Sequence, residues 1–144
     1  MGIAIRVPQN AAEIARYYET RLYTLLRPWH QPKGSERDGL EKEAFHVMAV
    51  EGGKVVGVAR MHLNGPGEAQ FRYMGVDSRY RGRGIATRLL RAIEKEARKR
   101  GARVAWFNAR EPAVPFYEKC GYSIFDISYT LYGCIPHWKM FKEL

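Results

Sequence analysis

The stretch "VDSRYRGRGIATRLL", Val76 to Leu90, joins a β-rich run to a basic amphipathic helical pattern through two glycines. Such a turn can cradle an anion. Glycines let the backbone approach a phosphate closely, successive N–H groups can point at its oxygens, and a helix N-terminus adds favourable partial charge. The Gly-Lys-Ser/Thr ending of a nucleotide-binding P-loop is missing, and so are the three spaced glycines of a dinucleotide fingerprint. On the glycines alone, a plain strand-to-helix turn fits as well. Carboxylates and imidazoles that could take a proton from an amine are sparse: Glu68 opens the run "EAQFRYMGV", His62 stands on the run before it, and no Asp/Glu pair stands out. Alternation along its strand places His62 on a solvent face. Cys120 and Cys134 are too few for a disulfide framework or a metal cage and read as buried free thiols, so no metal is expected.

The elements that must hold these groups alternate between the two periodicities. "IAIRV" (Ile3 to Val7) reads as a short strand. Asn10, with Glu13 three residues on, starts a helix over "AAEIARYYETRLYTLL". The polar segment "RPWHQPKGSERDG" follows, with a short helix expected near Arg37 to Glu43. Two strands meet at Gly52-Gly53 as a hairpin. "AQFRYMGV" is a further strand, and Ile85, Leu89, Leu90, Ile93 and Ala97 recur at helical spacing until Gly101. "RVAWFNA" is a strand, "PAVPFYEKCG" a short helix, and the two last runs close as an antiparallel pair. Hairpin strands mixed with helix-separated strands imply an α/β chain with a mixed sheet rather than a purely parallel one.

The chain has 144 residues, of which 46% are hydrophobic, enough for one ordinary core, so one domain over 1–144 is expected. There is no apolar run of membrane-spanning length and no signal-peptide pattern, and a cytoplasmic protein is expected. A net charge of +9 favours an anionic partner. Nucleic acid is the weakest such partner here, since no recognition-helix or stacking module is present.

Around the glycine turn the sequence resembles motif A of the GNAT superfamily of N-acetyltransferases, Arg/Gln-x-x-Gly-x-Gly/Ala. Arg79-x-x-Gly82-x-Gly84 and Arg81-x-x-Gly84-x-Ala86 both match, and the second puts "TRLL" where the family has it. The resemblance implies a single-domain GNAT fold. The backbone from Gly82 through Arg83, Gly84, Ile85 and Ala86 to Thr87, with Arg81, would hold the pyrophosphate of coenzyme A or the phosphate of a pantetheine arm. Met74 and Val76 would lie on a splayed strand and pair with pantetheine amides. "NAREPAVPFYEKCGY" is similar to motif B, on Ala113, Phe116, Tyr117, Gly121 and Tyr122, with Pro115 as a local departure. There Tyr117 would protonate the departing thiolate and Asn108 would bond the pantetheine. A CoA or 4'-phosphopantetheine thioester would be substrate, with no tightly bound cofactor.

"HQPKGSERD", with "RVPQ", "RYY" and "IPHWKMFKEL", resembles a narrower group, the GNAT-fold malonyl-acyl carrier protein decarboxylases. That resemblance implies loss of carbon dioxide from a malonyl thioester, yielding an acetyl thioester for the initiation of fatty acid synthesis. Such chemistry needs an oxyanion donor rather than a base. Asn64 and His30 are candidates for the donor, Ser35 for orienting the carboxylate, and Arg72 and Lys33 for holding it. An acidic acyl carrier protein would dock on the arginines crowding the turn and helix, Arg79 to Arg98. N-acetylation of an amine, with Glu68 or His62 as base, is the alternative reading, and a non-catalytic acyl-CoA sensor the third. A homodimer is possible, and the oligomeric state stays open.

Overall fold

Asn10 sets the start of the first helix, its Oδ1 accepting the Glu13 N–H at 3.0 Å, while Glu13 reaches back to the Gln9 N–H at 2.8 Å. This reciprocal capping satisfies donors that a helix start leaves orphaned. The computed structural model describes residues 2–144. Helix α1 runs over Ala11–Arg21. The periodicity predicts it to Leu26, but the last five residues, Leu22–Leu26, widen into a π-helical turn in which the Arg27 N–H bonds the Leu22 carbonyl. A 3-10 turn at Arg27–Trp29 follows, because Pro28 has no N–H to continue the helix. The helix expected at Arg37 to Glu43 is absent. That stretch forms turns, and Asp38 and Glu41 bond arginines of neighbouring elements instead of a helix of their own.

The seven strands are β1 (Ala4–Arg6), β2 (Phe45–Glu51), β3 (Lys54–Leu63), β4 (Glu68–Val76), β5 (Val104–Arg110), β6 (Ser123–Leu131) and β7 (Ile135–Glu143). They form one mixed sheet in the order β1-β2-β3-β4-β5-β7-β6. Gly52 and Gly53, with φ of 54° and 82°, supply the left-handed pair that a two-residue hairpin between β2 and β3 needs. Among the described residues only β4 and β5 run parallel. Helices α2 (Ile85–Lys99) and α3 (Val114–Lys119) complete the chain. Among the described residues no helix is long and apolar enough to cross a membrane.

The buried stripe of α2, Ile85, Leu89, Leu90, Ile93 and Ala97, covers one face of the sheet and packs with Met61, Phe71, Phe107 and Met140. The opposite face carries Tyr17 of α1 over Met48, Val50, Val55 and Val58. Gly57 lies directly beneath α2, where a Cβ would sit 3.0 Å from Leu89. Cys120 is buried as expected; Cys134 is exposed, because it falls in the turn between β6 and β7 rather than on a strand.

Two local features split the sheet. Beside β3, β4 carries a bulge where the register shifts between Val58 and Arg60, and Tyr73 adopts a left-handed φ of 57°. Beyond that bulge β4 no longer meets β5, and pairing is confined to Glu68↔Val104, Ala69↔Ala105 and Gln70↔Trp106. Strand β5 stays bonded to β7 along its whole length, from Val104↔Glu143 to Arg110↔His137. The two halves of the sheet therefore part at the C-terminal ends of β4 and β5, the end of a parallel pair where ligands commonly bind.

The π turn is seated against the far end of β4. A Cβ on Gly75 would lie 2.8 Å from Thr24 Oγ1 and 3.0 Å from Leu25. Gly75→Ala is expected to push this turn off the strand and to cost about 1–3 kcal/mol, the usual penalty of overpacking. Urea unfolding of the variant measures it; an unchanged midpoint would mean that the turn yields freely.

Candidate functional site

The loop from β4 to α2 begins at Asp77, whose carboxylate accepts the Arg79 N–H at 3.0 Å and the Arg79 guanidinium at 2.9 Å. Arg79 is thereby tied back onto its own turn and holds the Asp77 carboxyl below the usual range. Gly82 and Gly84 follow with φ of 79° and 75°, and at neither would a Cβ meet any atom within 4 Å. Gly84 is the N-cap of α2, with no side-chain cap. The Arg88 N–H bonds the Gly84 carbonyl at 3.1 Å, so the N–H groups of Ile85, Ala86 and Thr87 are left without intrahelical partners. The side chain of Ile85 is buried in the core, so this residue offers only its backbone. Arg81 and Arg83 stand exposed at the rim, Arg83 lying 3.5 Å from Glu51.

This turn follows directly on β4, the strand that borders the split. The Asp77 N–H bonds the Val56 carbonyl at 2.8 Å. Backbone groups alternate along a strand, so Val76 and Met74 turn theirs away from β3 into the gap that β5 has left. A ligand with amide groups could complete this edge as an added strand.

A cavity of about 270 Å³ occupies the gap. Leu90, Ile93, Phe71, Phe107 and Tyr117 form its apolar wall, and Trp29, Ser35, Arg72, Asn108, Arg110, Tyr129 and His137 line the rest. Tyr117 is half-buried among aromatic rings, 4.3 Å from Phe107 and 5.1 Å from Phe116 between centroids. Burial pushes its phenol well above the ordinary tyrosine range, so it is protonated. Asn108 accepts the Ser128 hydroxyl on its Oδ1 at 2.6 Å, which leaves its amide N–H groups free to donate. His137 is buried and stacked on Tyr129 with ring centroids 4.7 Å apart. Its Nδ1 lies 2.9 Å from the Ile135 carbonyl. A carbonyl only accepts, so Nδ1 carries the proton and Nε2 keeps its lone pair. Burial, then the nearby Arg110 charge, lowers the His137 pKa below its ordinary value.

The expected site residues divide sharply. Ser35, Arg72, Met74, Asn108 and Tyr117 meet at the cavity, and Phe116 supports Tyr117. Asn64 does not reach it: it is exposed on the turn between β3 and β4, donating to Gln70 at 2.7 Å. Glu68 stands at the still-paired start of β4 and accepts the Trp106 indole N–H at 3.2 Å. His30 is exposed with φ 59° as the cap of the 3-10 turn, and Lys33 is exposed. His62 is buried rather than solvent-facing, because β3 is covered on both faces from Val55 to His62, and its Nδ1 lies 3.2 Å from the Arg60 guanidinium. The residues missed are Arg110 and His137. Their pairing across β5 and β7 would have exposed them, but only once the register of the last strand was known.

The polar segment "HQPKGSERDG" is clamped over the cavity by two fully buried arginines. Arg21 donates to the Glu36 carbonyl at 2.8 Å, to Glu41 at 3.0 Å and to the Tyr17 hydroxyl at 2.8 Å. Arg60 bonds Asp38 at 2.7 Å and Glu41 at 2.9 Å. Arg72 takes the other Asp38 oxygen at 2.7 Å. Burial works to raise the Asp38 carboxyl, yet the Arg60 hydrogen bond and charge hold it at about 2. The Tyr73 ring, swung inward by its left-handed backbone, lies 4.3, 5.1 and 4.5 Å from the guanidinium carbons of Arg21, Arg60 and Arg72. The bulge that opens the sheet thus also places the ring against three cations.

The family model described as acetyltransferase (GNAT) family matches residues 10–122. The uncharacterized N-acetyltransferase YjcF of Bacillus subtilis strain 168 is 29% identical over 137 residues, 95% of this chain and 97% of that protein. An aminoglycoside 6'-N-acetyltransferase complexed with coenzyme A is 21% identical with a TM-score of 0.81, over 99% of this chain and 97% of its own. A GNAT family acetyltransferase from Elizabethkingia anophelis with acetyl-CoA bound is 15% identical, with a TM-score of 0.81 over 99% and 98%. These solved structures establish the fold.

The clamp can be tested without reference to any ligand. Arg60→Ala leaves Asp38 and Glu41 short of a buried partner and is expected to cost about 3–5 kcal/mol. Urea unfolding checks this, and amide exchange over residues 34–41 should rise in parallel. A loss under about 1 kcal/mol would mean that water replaces the guanidinium.

Proposed function

The chain belongs to the acetyltransferase (GNAT) family, and on that premise we propose that it is an acyl-CoA N-acyltransferase whose reaction takes place in the cavity between β4 and β5. One observation carries this reading: an unpaired strand edge and a cap-free helix N-terminus adjoin in β4, its turn and α2, and Met74 of β4 with Leu90 and Ile93 of α2 line the cavity that holds a protonated phenol. The pyrophosphate of coenzyme A would rest on the N–H groups from Gly82 to Thr87, with Arg81 at the rim. The pantetheine amides would pair with Met74 and Val76. The thioester carbonyl would then lie near Asn108, whose free amide N–H can stabilise the oxyanion that forms on attack.

Attack needs a neutral amine. His137 is the suitable acceptor, because its Nε2 lone pair faces no competing partner among the described residues and its lowered pKa keeps it neutral. The amine nitrogen adds to the thioester carbon, the carbon–sulfur bond breaks, and Tyr117 gives its proton to the departing thiolate. The products are an amide and the free thiol of coenzyme A.

Decarboxylation of a malonyl thioester, on coenzyme A or an acidic carrier protein, is the second reading. It is favoured by the charge of the cavity, whose lining holds Arg72, Arg110 and Ser35 and no carboxylate. It loses Asn64 and His30 as donors, since neither lines the cavity, and Asn108 would have to take that role.

Incubation with acetyl-CoA and a panel of amines should release thiol. Tyr117→Phe and His137→Gln should each slow this by roughly 10²-fold or more. Because the folded pKa of His137 is depressed, its basic form persists as pH falls. The acid limb of kcat/KM should therefore lie below 6.5 and disappear in His137→Gln. A limb that survives the substitution would assign the base elsewhere.

The cradle makes a separate prediction. Gly84→Ala adds a methyl group at the cap of α2 and strains a left-handed position, which costs about 1–2 kcal/mol. Its affinity for coenzyme A should fall about tenfold or more, as expected when a charge-assisted hydrogen bond is lost. Calorimetry on the folded variant decides it; unchanged affinity would move the ligand away from this turn.

A further inference from the structure

Arg110 closes β5 and faces the cavity at the level of His137, its partner in the β5–β7 register. Arg72, the other arginine of the lining, is already paired with Asp38 at 2.7 Å. Arg110 is half-buried and takes part in no ion pair among the described residues. The adjacent Glu111 is turned away, accepting the Trp138 indole N–H at 3.3 Å. Among the described residues no Asp or Glu lines the cavity. Arg110 is close enough to Tyr117 and His137 for its charge to act on both, which puts it beside the two groups that handle protons.

A guanidinium that loses its water without gaining an anion is costly to keep. When a ligand fills the cavity, water around Arg110 is displaced, and the protein supplies no carboxylate to replace it. A ligand carboxylate would, because its two oxygens match the planar fork of an arginine. We propose that the substrate of this cavity carries a carboxylate beside its reacting centre and that Arg110 is the residue that binds it. This deepens, and rests on, the assignment of the cavity as the site of thioester chemistry. The carboxylate has two possible carriers, the acceptor amine or the acyl group.

Two matched pairs of probes tell these apart: amino acids against the corresponding amino-acid amides, and malonyl-CoA against acetyl-CoA. In the wild-type protein the charged member of one pair should be preferred by about tenfold or more, as a charge-assisted bidentate contact implies. Arg110→Gln should bring that ratio close to one while leaving acetyl-CoA affinity unchanged, and Arg110→Lys should restore part of it. Preference within the amino-acid pair places the charge on the acceptor; preference for malonyl-CoA places it on the acyl group. Indifference to both pairs, or an equal loss for both members in Arg110→Gln, overturns the proposal. Binding of the amino-acid pair, followed by fluorescence of Trp29 at the cavity wall, needs no coenzyme A. A wild-type protein that discriminates that pair but ignores acetyl-CoA would therefore retain the carboxylate site and discard the acyltransferase reading.

Discussion

The architecture depends on one constraint: β4 and β5 are paired over three residues and then must part. A sheet that splits in its middle leaves strand N–H and C=O groups without partners, and burying them unsatisfied would be costly. The split is held open from both sides. On the β4 side, the bulge at Tyr73 turns the strand and sets its ring against Arg21, Arg60 and Arg72. The π turn presses on Gly75 from above. On the β5 side, β7 inserts between β5 and β6 and draws β5 away with a full ladder. The freed edge of β4 then faces a cavity, where a ligand can meet its hydrogen-bonding groups.

The arginines of the chain do not all serve one end. Arg21 and Arg60 are structural, buried among Asp38, Glu41 and the Glu36 carbonyl, and they fix a polar segment that could not hold itself by burial. Removing either would strand carboxylates in a poor solvent. Arg81 and Arg83 stand at the rim, exposed to solvent and to any phosphate. Arg110 belongs to neither set. It lines the cavity with no ion-pair partner among the described residues, near enough to Tyr117 and His137 for its charge to act on both.

Much of this plan was legible in the residues. The glycine turn, the α2 stripe, the Gly52-Gly53 hairpin and the Asn10 cap each rest on local spacing, and each stands where that spacing implies. What could not be read is set by tertiary context. Nothing local distinguishes Arg21 and Arg60 from solvated helix and strand arginines, since their burial depends on carboxylates 20 and 19 residues away in the chain. The same loop carboxylates remove the helix expected at Arg37 to Glu43. Asn64 suits a donor by residue type, but it sits where β3 and β4 turn, beside the closed end of the β4–β5 pair. Arg110 and His137 face each other only through a register between strands separated by α3 and β6. The spacing predicts the helix carrying Leu25 and Leu26 but not its π widening, because hydrophobic spacing does not distinguish one hydrogen-bond ladder from another over a single turn.

The claim at the centre of this account is that the open edge of β4 and the cap-free start of α2 together form the thioester-binding surface. Residue-resolved amide hydrogen exchange, with and without coenzyme A, measures this most directly. The account predicts slower exchange at Met74 and Val76 and across Gly82 to Thr87, with β1 and β2 unaltered. Protection confined to other elements, with the β4 edge exchanging at its unliganded rate, would contradict it.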